Sequence, residues 1–379
     1  MGPLHGIKVI EMAGLAPGPF ASMMLADMGA QVLCIERPAP AGARTQRPAA
    51  HILQRNRRSL ALDLKKPAAV DLLHNLVASA DALIEGFRPG VMERLGLGPD
   101  TCLEANPRLV YGRMTGWGQD GPLAQAAGHD ANYIALAGAL HPLGTPGTPP
   151  PLPLNLLGDF GGGAMYLAFG LVCALLEARG SGKGQVVDAA MVDGVASLTA
   201  YLHASRANGR WRDGRGENIL DGASPWYHVY TTADERYVTV AAAEPQFYAE
   251  LLRRLGLDAE ALPGQHDRAG WPRLQARLTE VFRSRTQAEW RERLEGTDAC
   301  FAPVMPLSEA PGHPHLKARG TFVELDGVVQ PAPAPRFSRT SPEAPKAWIP
   351  AGVDDERTLD AWGIGAEAFR ALQAAQVFE

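Results

Sequence analysis

The chain has 379 residues and a mass of 40.4 kDa, long for one hydrophobic core and short for three, so two domains or one with a large insertion are expected. Apolar residues form 46% of it and charged residues 20%, a balance that excludes wholesale disorder. The formal charge of -5 is unevenly spread, because residues 37–94 carry ten bases against five acids. Along the chain, residues 7–12 read as a strand, Gly14-Leu15-Ala16-Pro17-Gly18-Pro19 as a break, and residues 20–28 as a helix. Strands at 31–36 and 60–64, a helix at 67–78, a strand at 82–84, a helix at 99–105 and a strand at 109–114 continue the alternation. That order predicts parallel βαβ units, an α/β fold with a large Rossmann-like domain. No G-x-G-x-x-G stands at the first turn, where Gly14 and Gly18 are four apart, so an NAD or FAD fingerprint is unsupported.

Asp130 is positioned to cap a helix over 131–136, and Asp159 another over 165–177 closed by Arg179 and Gly180. A helix over 192–207 follows. Residues 208–225, rich in Gly, Asp and Arg, read as a linker, and residues 226–320 as a smaller α+β domain. The proline-rich residues 321–379 are expected to return to the first domain, residues 1–207.

The ten bases are Arg37, Arg44, Arg47, Arg55, Arg57, Arg58, Lys65, Lys66, Arg88 and Arg94. A local basic island in an otherwise acidic chain suits a compact polyanion such as a nucleotide phosphate, whereas nucleic acid calls for a broader basic face. Any single member reads equally well as solvated surface. The most apolar run, residues 164–176, is shorter than the roughly 20 residues a bilayer needs. The first residues carry no charged n-region and the last no Ser-Lys-Leu signal, so a cytoplasmic protein with no membrane partner is expected. Cys34, Cys102, Cys173 and Cys300 are far apart and read as buried thiols, and the histidines form no ligand set, so no metal is expected.

Three places carry possible chemistry. In Gly128-His129-Asp130 a histidine precedes a helix start, where the positive end of the macrodipole favours the neutral base and unpaired first-turn N–H groups can meet developing negative charge. The bland alternative is a capping Asp130 beside a surface histidine. In Gly158-Asp159-Phe160-Gly161-Gly162-Gly163, glycines inside a helix cost roughly 0.5–1 kcal/mol each and need a reason, such as close approach of a ligand or another helix. Asp159 is either an N-cap or a carboxylate acting as acid, base or nucleophile. Glu244, directly after a strand and before a helix, is a cap or a functional acid.

Further segments join these: Leu4-His5-Gly6-Ile7-Lys8-Val9-Ile10-Glu11, Ile35-Glu36-Arg37-Pro38, Asn56-Arg57-Arg58-Ser59-Leu60, Glu85-Gly86-Phe87-Arg88-Pro89-Gly90, Thr115-Gly116-Trp117-Gly118, Gly182-Lys183-Gly184-Gln185 and Glu244-Pro245-Gln246-Phe247-Tyr248. In order and over nearly the whole chain they resemble the family III CoA-transferases (CaiB/BaiF-like), and within them the α-methylacyl-CoA racemase branch. The resemblance implies an interlinked homodimer and a 2-methylacyl-CoA thioester substrate, with no cofactor beyond the CoA of that substrate. It implies that Arg37, Leu62, Asp63, Leu64, Lys65, Gly86, Phe87, Arg88, Arg94, Gly128, Asp130, Ala131, Asn132 and Tyr133 line the CoA thioester path. Catalysis would fall on His129 and Asp159, with Glu244 of the partner subunit pairing with His129. Transferases of the family use the matching aspartate as an acyl nucleophile, and the histidine at 129 tips the expectation toward racemisation. A CoA-thioester binder without catalysis would need neither side chain.

Overall fold

The computed structural model describes residues 2–38 and 51–378. Its contacts divide the described chain into two units, the first drawn from residues 1–137, 153–198 and 314–379, the second from 138–152 and 199–313.

The first unit is an α/β layer structure. Strands β1 (Lys8–Met12), β2 (Gln31–Glu36), β3 (Arg57–Ala61), β4 (Ala82–Glu85), β5 (Val110–Thr115) and β6 (Gln185–Ala190) form one sheet in the order β3-β2-β1-β4-β5-β6, every pair parallel. Side chains alternate across the pleat, so Ile10, Leu33, Leu60 and Leu83 enter one core while Val9, Val32, Ile84 and Val110 enter the other. Helices α1 (Pro17–Asp27), α2 (Pro67–Ala78), α3 (Val91–Arg94), α4 (Pro99–Ala105), α5 (Asp130–Leu136), α6 (Met165–Ser181) and α7 (Met191–Leu198) complete the layers. Prolines in the first turn of α1, α2 and α4 fit there because those N–H groups need no partner.

Strand β3 begins at Arg57, earlier than the predicted 60–64, because two buried ion pairs draw charged residues inward. Arg57 pairs with Glu11 of β1, and Arg55 with Asp27 of α1 at 2.5 Å. Residues 156–181 form one continuous helical run of 26 residues, long and apolar enough by length and composition to cross a membrane. The shorter run read from the sequence missed this. Its Leu167, Leu171, Ala174 and Ala178 are buried in the core beneath the sheet, while Phe169, Val172 and Leu176 are exposed. The four cysteines are free; Cys34 and Cys102 are buried, but Cys173 is exposed.

The predicted helix over 192–207 is two, α7 and α8 (Ala200–Ala207), and the division between the units falls at Thr199. In the second unit, β7 (Tyr227–Thr231), β8 (Tyr237–Ala241) and the later strand β9 (Phe301–Pro303) make an antiparallel sheet. Helices α9 (Pro245–Leu255), α10 (Trp271–Arg283) and α11 (Gln287–Leu294) pack on it around Trp226, Tyr230, Leu274, Phe282 and Trp290. The segment read as a linker is ordered here, since the Asp221 carboxylate accepts N–H bonds from Gly216 at 2.9 Å and Asn218 at 3.0 Å. Back in the first unit lie α12 (Pro314–Arg319), hairpin β10 (Phe322–Leu325) and β11 (Val328–Pro331), α13 (Asp355–Ala361) and α14 (Ala366–Ala374).

The glycine run has its reason in α7. A Cβ on Gly162 would lie 2.8 Å from the Val195 nitrogen, one on Gly163 2.8 Å from Met191, and one on Gly194 would overlap the Gly162 carbonyl. Backbone cannot yield as a long side chain does, so Gly194→Ala should lower the unfolding free energy by about 1–3 kcal/mol. Urea denaturation checks this; an unchanged midpoint would contradict the close packing of α7 on the run.

Candidate active site

In a sheet of this order the chain reverses direction between β1 and β4, and ligands of such folds bind in the crevice beyond the carboxyl ends of those strands. A cavity of about 550 Å³ opens there. Its wall takes Met12 and residues 14–18 after β1, Gly86 to Pro89 after β4, and Thr115 to Trp117 after β5. Gly128, His129, Tyr133, Asp159 and Met191 close it. A larger cavity of about 730 Å³ lies in the second unit and holds none of these groups.

His129 occupies the N-cap position of α5 in extended conformation, and its N–H donates to Asn132 Oδ1 at 3.0 Å. Asp130 is therefore the first helical residue and not the cap expected from the sequence. Its side chain is buried and reaches a different element: Oδ2 accepts the N–H of Gly158 at 2.6 Å and of Asp159 at 2.7 Å. Asp159 in turn is not the cap of α6. It lies inside a π-helical turn, Leu156–Ala164, that runs straight into α6. Such wide turns release the regular backbone ladder and recur at functional sites. The glycine at 158 is required, because a Cβ there would be 2.5 Å from Asp130 Oδ2.

Asp159 is half-buried, and burial pushes its carboxyl above the usual aspartate range. A hydrogen bond from Asn155 Nδ2 at 3.3 Å works against that rise, the negative charge of Asp130 adds to it, and a charged His129 lowers it. Tyr133 stands edge-on to Trp117, ring centroids 4.7 Å apart at 84°.

The loop after β4 is held by its own strand. Glu85, buried at the end of β4, accepts the Phe87 N–H at 2.8 Å and the Arg113 Nε–H at 2.9 Å. Arg113 also pairs with Glu93 at 2.9 Å. This arrangement presents Arg88 at the cavity wall with an exposed side chain.

The predicted residues fall into groups. Gly86, Phe87, Arg88, Gly128, His129, Tyr133 and Asp159 share the one cavity. Asp130 is buried behind it, and Ala131 and the exposed Asn132 follow on α5 outside its wall. Arg37 is exposed just past β2, Arg94 is exposed at the end of α3, and Asp63, Leu64 and exposed Lys65 form a turn after β3. Leu62 is a core residue, 1% exposed. Glu244 is exposed at the N-cap position of α9 in the second unit. The basic island is smaller than its count. Arg55 and Arg57 are buried in ion pairs, Arg58 pairs with Asp354 at 2.8 Å, and Lys66 donates to the Gln376 carbonyl. Arg37, Lys65, Arg88 and Arg94 are left with exposed side chains, while Arg44 and Arg47 lie outside the described residues. Sequence reasoning missed Trp117, Glu85 and Arg113 as parts of the site. The signal was available for Trp117, since Thr115-Gly116-Trp117 follows a buried strand directly.

The model of CoA-transferase family III matches residues 4–354. The chain belongs to that family. A mouse (Mus musculus) protein named alpha-methylacyl-CoA racemase is 45% identical over 380 residues, covering 99% of this chain and 97% of the mouse protein. The human (Homo sapiens) protein of that name is 43% identical over 379 residues, again covering 99% and 97%. The crystal structure of a CaiB/BaiF family protein from Brucella suis superposes with a TM-score of 0.82 at 25% identity, covering 95% of this chain and 99% of that one.

As a family III chain with this geometry, its site hangs on Asp130. Asp130→Ala would leave two buried N–H groups without an acceptor, at a cost of about 1–3 kcal/mol for each. Thermal unfolding should show the loss in Asp130→Ala and much less of it in Asp130→Asn, whose amide oxygen still accepts both bonds; equal stability of all three proteins would contradict the clamp.

Proposed function

We propose that this chain interconverts (R)- and (S)-2-methylacyl-CoA thioesters by removing and returning the α-proton through an enolate. The observation that carries the reading is that His129 and Asp159, two groups able to take and give a proton, stand in the wall of one cavity. The similarity to two proteins named alpha-methylacyl-CoA racemase supports racemisation over acyl transfer.

Physically, a thioester α-proton is too weakly acidic for imidazole or carboxylate to remove unaided, so the enolate oxygen must be stabilised as charge develops. The N–H groups of Asp130 and Ala131, which have no partner among the described residues, are our donors, fixed before the charge appears. His129 removes the proton of one enantiomer while Asp159 supplies one to the opposite face, and the roles exchange for the other enantiomer. Opposite protonation states are needed at the two groups. Burial raises the Asp159 pKa and suits it to holding a proton in one direction, with His129 taking the proton in that direction. The CoA phosphates are assigned to Arg37, Lys65, Arg88 and Arg94, and no further cofactor is needed. In this reading the protein works in the cytoplasm as a homodimer, with Glu244 of a second copy orienting the His129 ring; exposure of Glu244 at the start of α9 is compatible with that.

Incubation with a chiral 2-methylacyl-CoA in D2O tests the reading. Exchange of the α-proton with loss of optical purity is expected, and His129→Ala and Asp159→Ala should each lower it by about 10²-fold or more. An acyl or CoA adduct trapped on Asp159 would instead make the protein a transferase.

The acid limb gives a separate check. Asp159 works as a base only when ionised, and its raised pKa means that ionisation is lost on acidification earlier than for an ordinary aspartate. For the enantiomer that Asp159 deprotonates, kcat should therefore fall as pH drops through a value above the usual aspartate range; a flat profile down to that range would contradict the role.

A further inference from the structure

We infer that the Tyr133 hydroxyl is a hydrogen-bond donor to the thioester oxygen while that oxygen becomes an enolate. This inference rests on the proton-transfer reading above and adds a catalytic residue to it.

Tyr133 follows His129 by four residues, so both lie on one side of α5, one turn apart. Its ring walls the cavity that His129 and Asp159 also line. The ring is held from several sides. Trp117 meets it edge-on, a Cβ on Gly128 would lie 2.8 Å from its Cε1, and a Cβ on Gly116 would overlap its Cζ and hydroxyl. Only 6% of the residue is exposed, so the hydroxyl end is fixed by packing before any substrate arrives.

What sets this tyrosine apart is where its proton goes. Buried tyrosines normally spend the O–H on a partner. Tyr111 donates to the Leu97 carbonyl at 2.9 Å and Tyr230 to the Pro225 carbonyl at 2.6 Å. The Tyr133 hydroxyl has no such acceptor among the described residues, and it is not among the enclosed polar atoms that lack a partner. On a ring that walls the cavity, a hydroxyl neither bonded nor enclosed has its O–H available to a ligand there. Burial and the neighbouring Asp159 charge push its pKa up, so the group stays neutral and keeps its proton to donate.

The step balances without any covalent change at Tyr133. The α-C–H electron pair moves into the new C=C bond, the carbonyl π pair moves onto oxygen, the proton goes to His129 or Asp159, and Tyr133 donates a hydrogen bond throughout. A donor fixed in advance and aimed at forming charge is the arrangement that stabilises enolates most effectively, and a tyrosine hydroxyl serves an enolate in this way in another isomerase.

Tyr133→Phe keeps the ring, its packing on Trp117 and the two glycine contacts, and removes one oxygen. Assayed as the full chain by deuterium exchange of a chiral 2-methylacyl-CoA, it should lose about 10²-fold in kcat, the size found for removal of one donor of this kind. KM and the unfolding midpoint should stay close to the unsubstituted protein, a split that a merely structural role would not give. Full kcat in Tyr133→Phe, with His129→Ala inactive in the same assay, would overturn this inference and leave the proton-transfer reading standing. No exchange in the unsubstituted protein would instead overturn the underlying reading.

Discussion

One buried carboxylate ties the candidate site together. Asp130 Oδ2 receives the N–H groups of Gly158 and Asp159, so the start of α5, which carries His129, is fastened to the turn that carries Asp159. Two backbone N–H groups on one oxygen define a direction as well as a distance. The clamp also explains why the surrounding backbone is so demanding. A side chain at 158 would displace Asp130, and glycines at 162 and 194 let α7 press against the π-helical turn from its other side. Two groups separated by 29 residues of sequence are thereby held as a pair.

A second constraint comes from the sheet. The reversal between β1 and β4 leaves a crevice, and the loops after β1, β4 and β5 meet there. The Glu85–Arg113 pair, buried at the ends of neighbouring strands, turns the β4 loop outward so that Arg88 faces the opening. Truncating either partner would strand the other charge in the interior. The fold therefore supplies a position and the loops supply the chemistry, which is why a dinucleotide-type sheet stands here without the glycine fingerprint of a dinucleotide site.

Much of this was legible beforehand. Alternation of apolar runs and helical spacing announced the parallel layers; Gly128-His129-Asp130 stood out as a histidine before a helix start, and Gly158-Asp159 because glycines inside a helix need a cause. The cause itself was not legible. Asp130 looks like a cap for its own helix, and only the folded backbone reveals that its acceptor oxygen serves a turn 28 residues away. The basic island has fewer free charges than its count for a related reason: composition counts charges but does not say which are neutralised, and Arg55 and Arg57 are consumed by Asp27 and Glu11. Strand β3 was displaced in the reading by the same pairs, since arginines at a strand start suggest surface. The division at Thr199 escaped notice because helical spacing continues across it.

The central claim is that a single thioester α-carbon sits between the His129 ring and the Asp159 carboxylate. A crystal structure of the protein with a 2-methylacyl-CoA bound tests it most directly. The account predicts the α-carbon within about 3–3.5 Å of one atom from each side chain, on opposite faces. An acyl group lodged on one side of both residues, or bonded to Asp159, would contradict it.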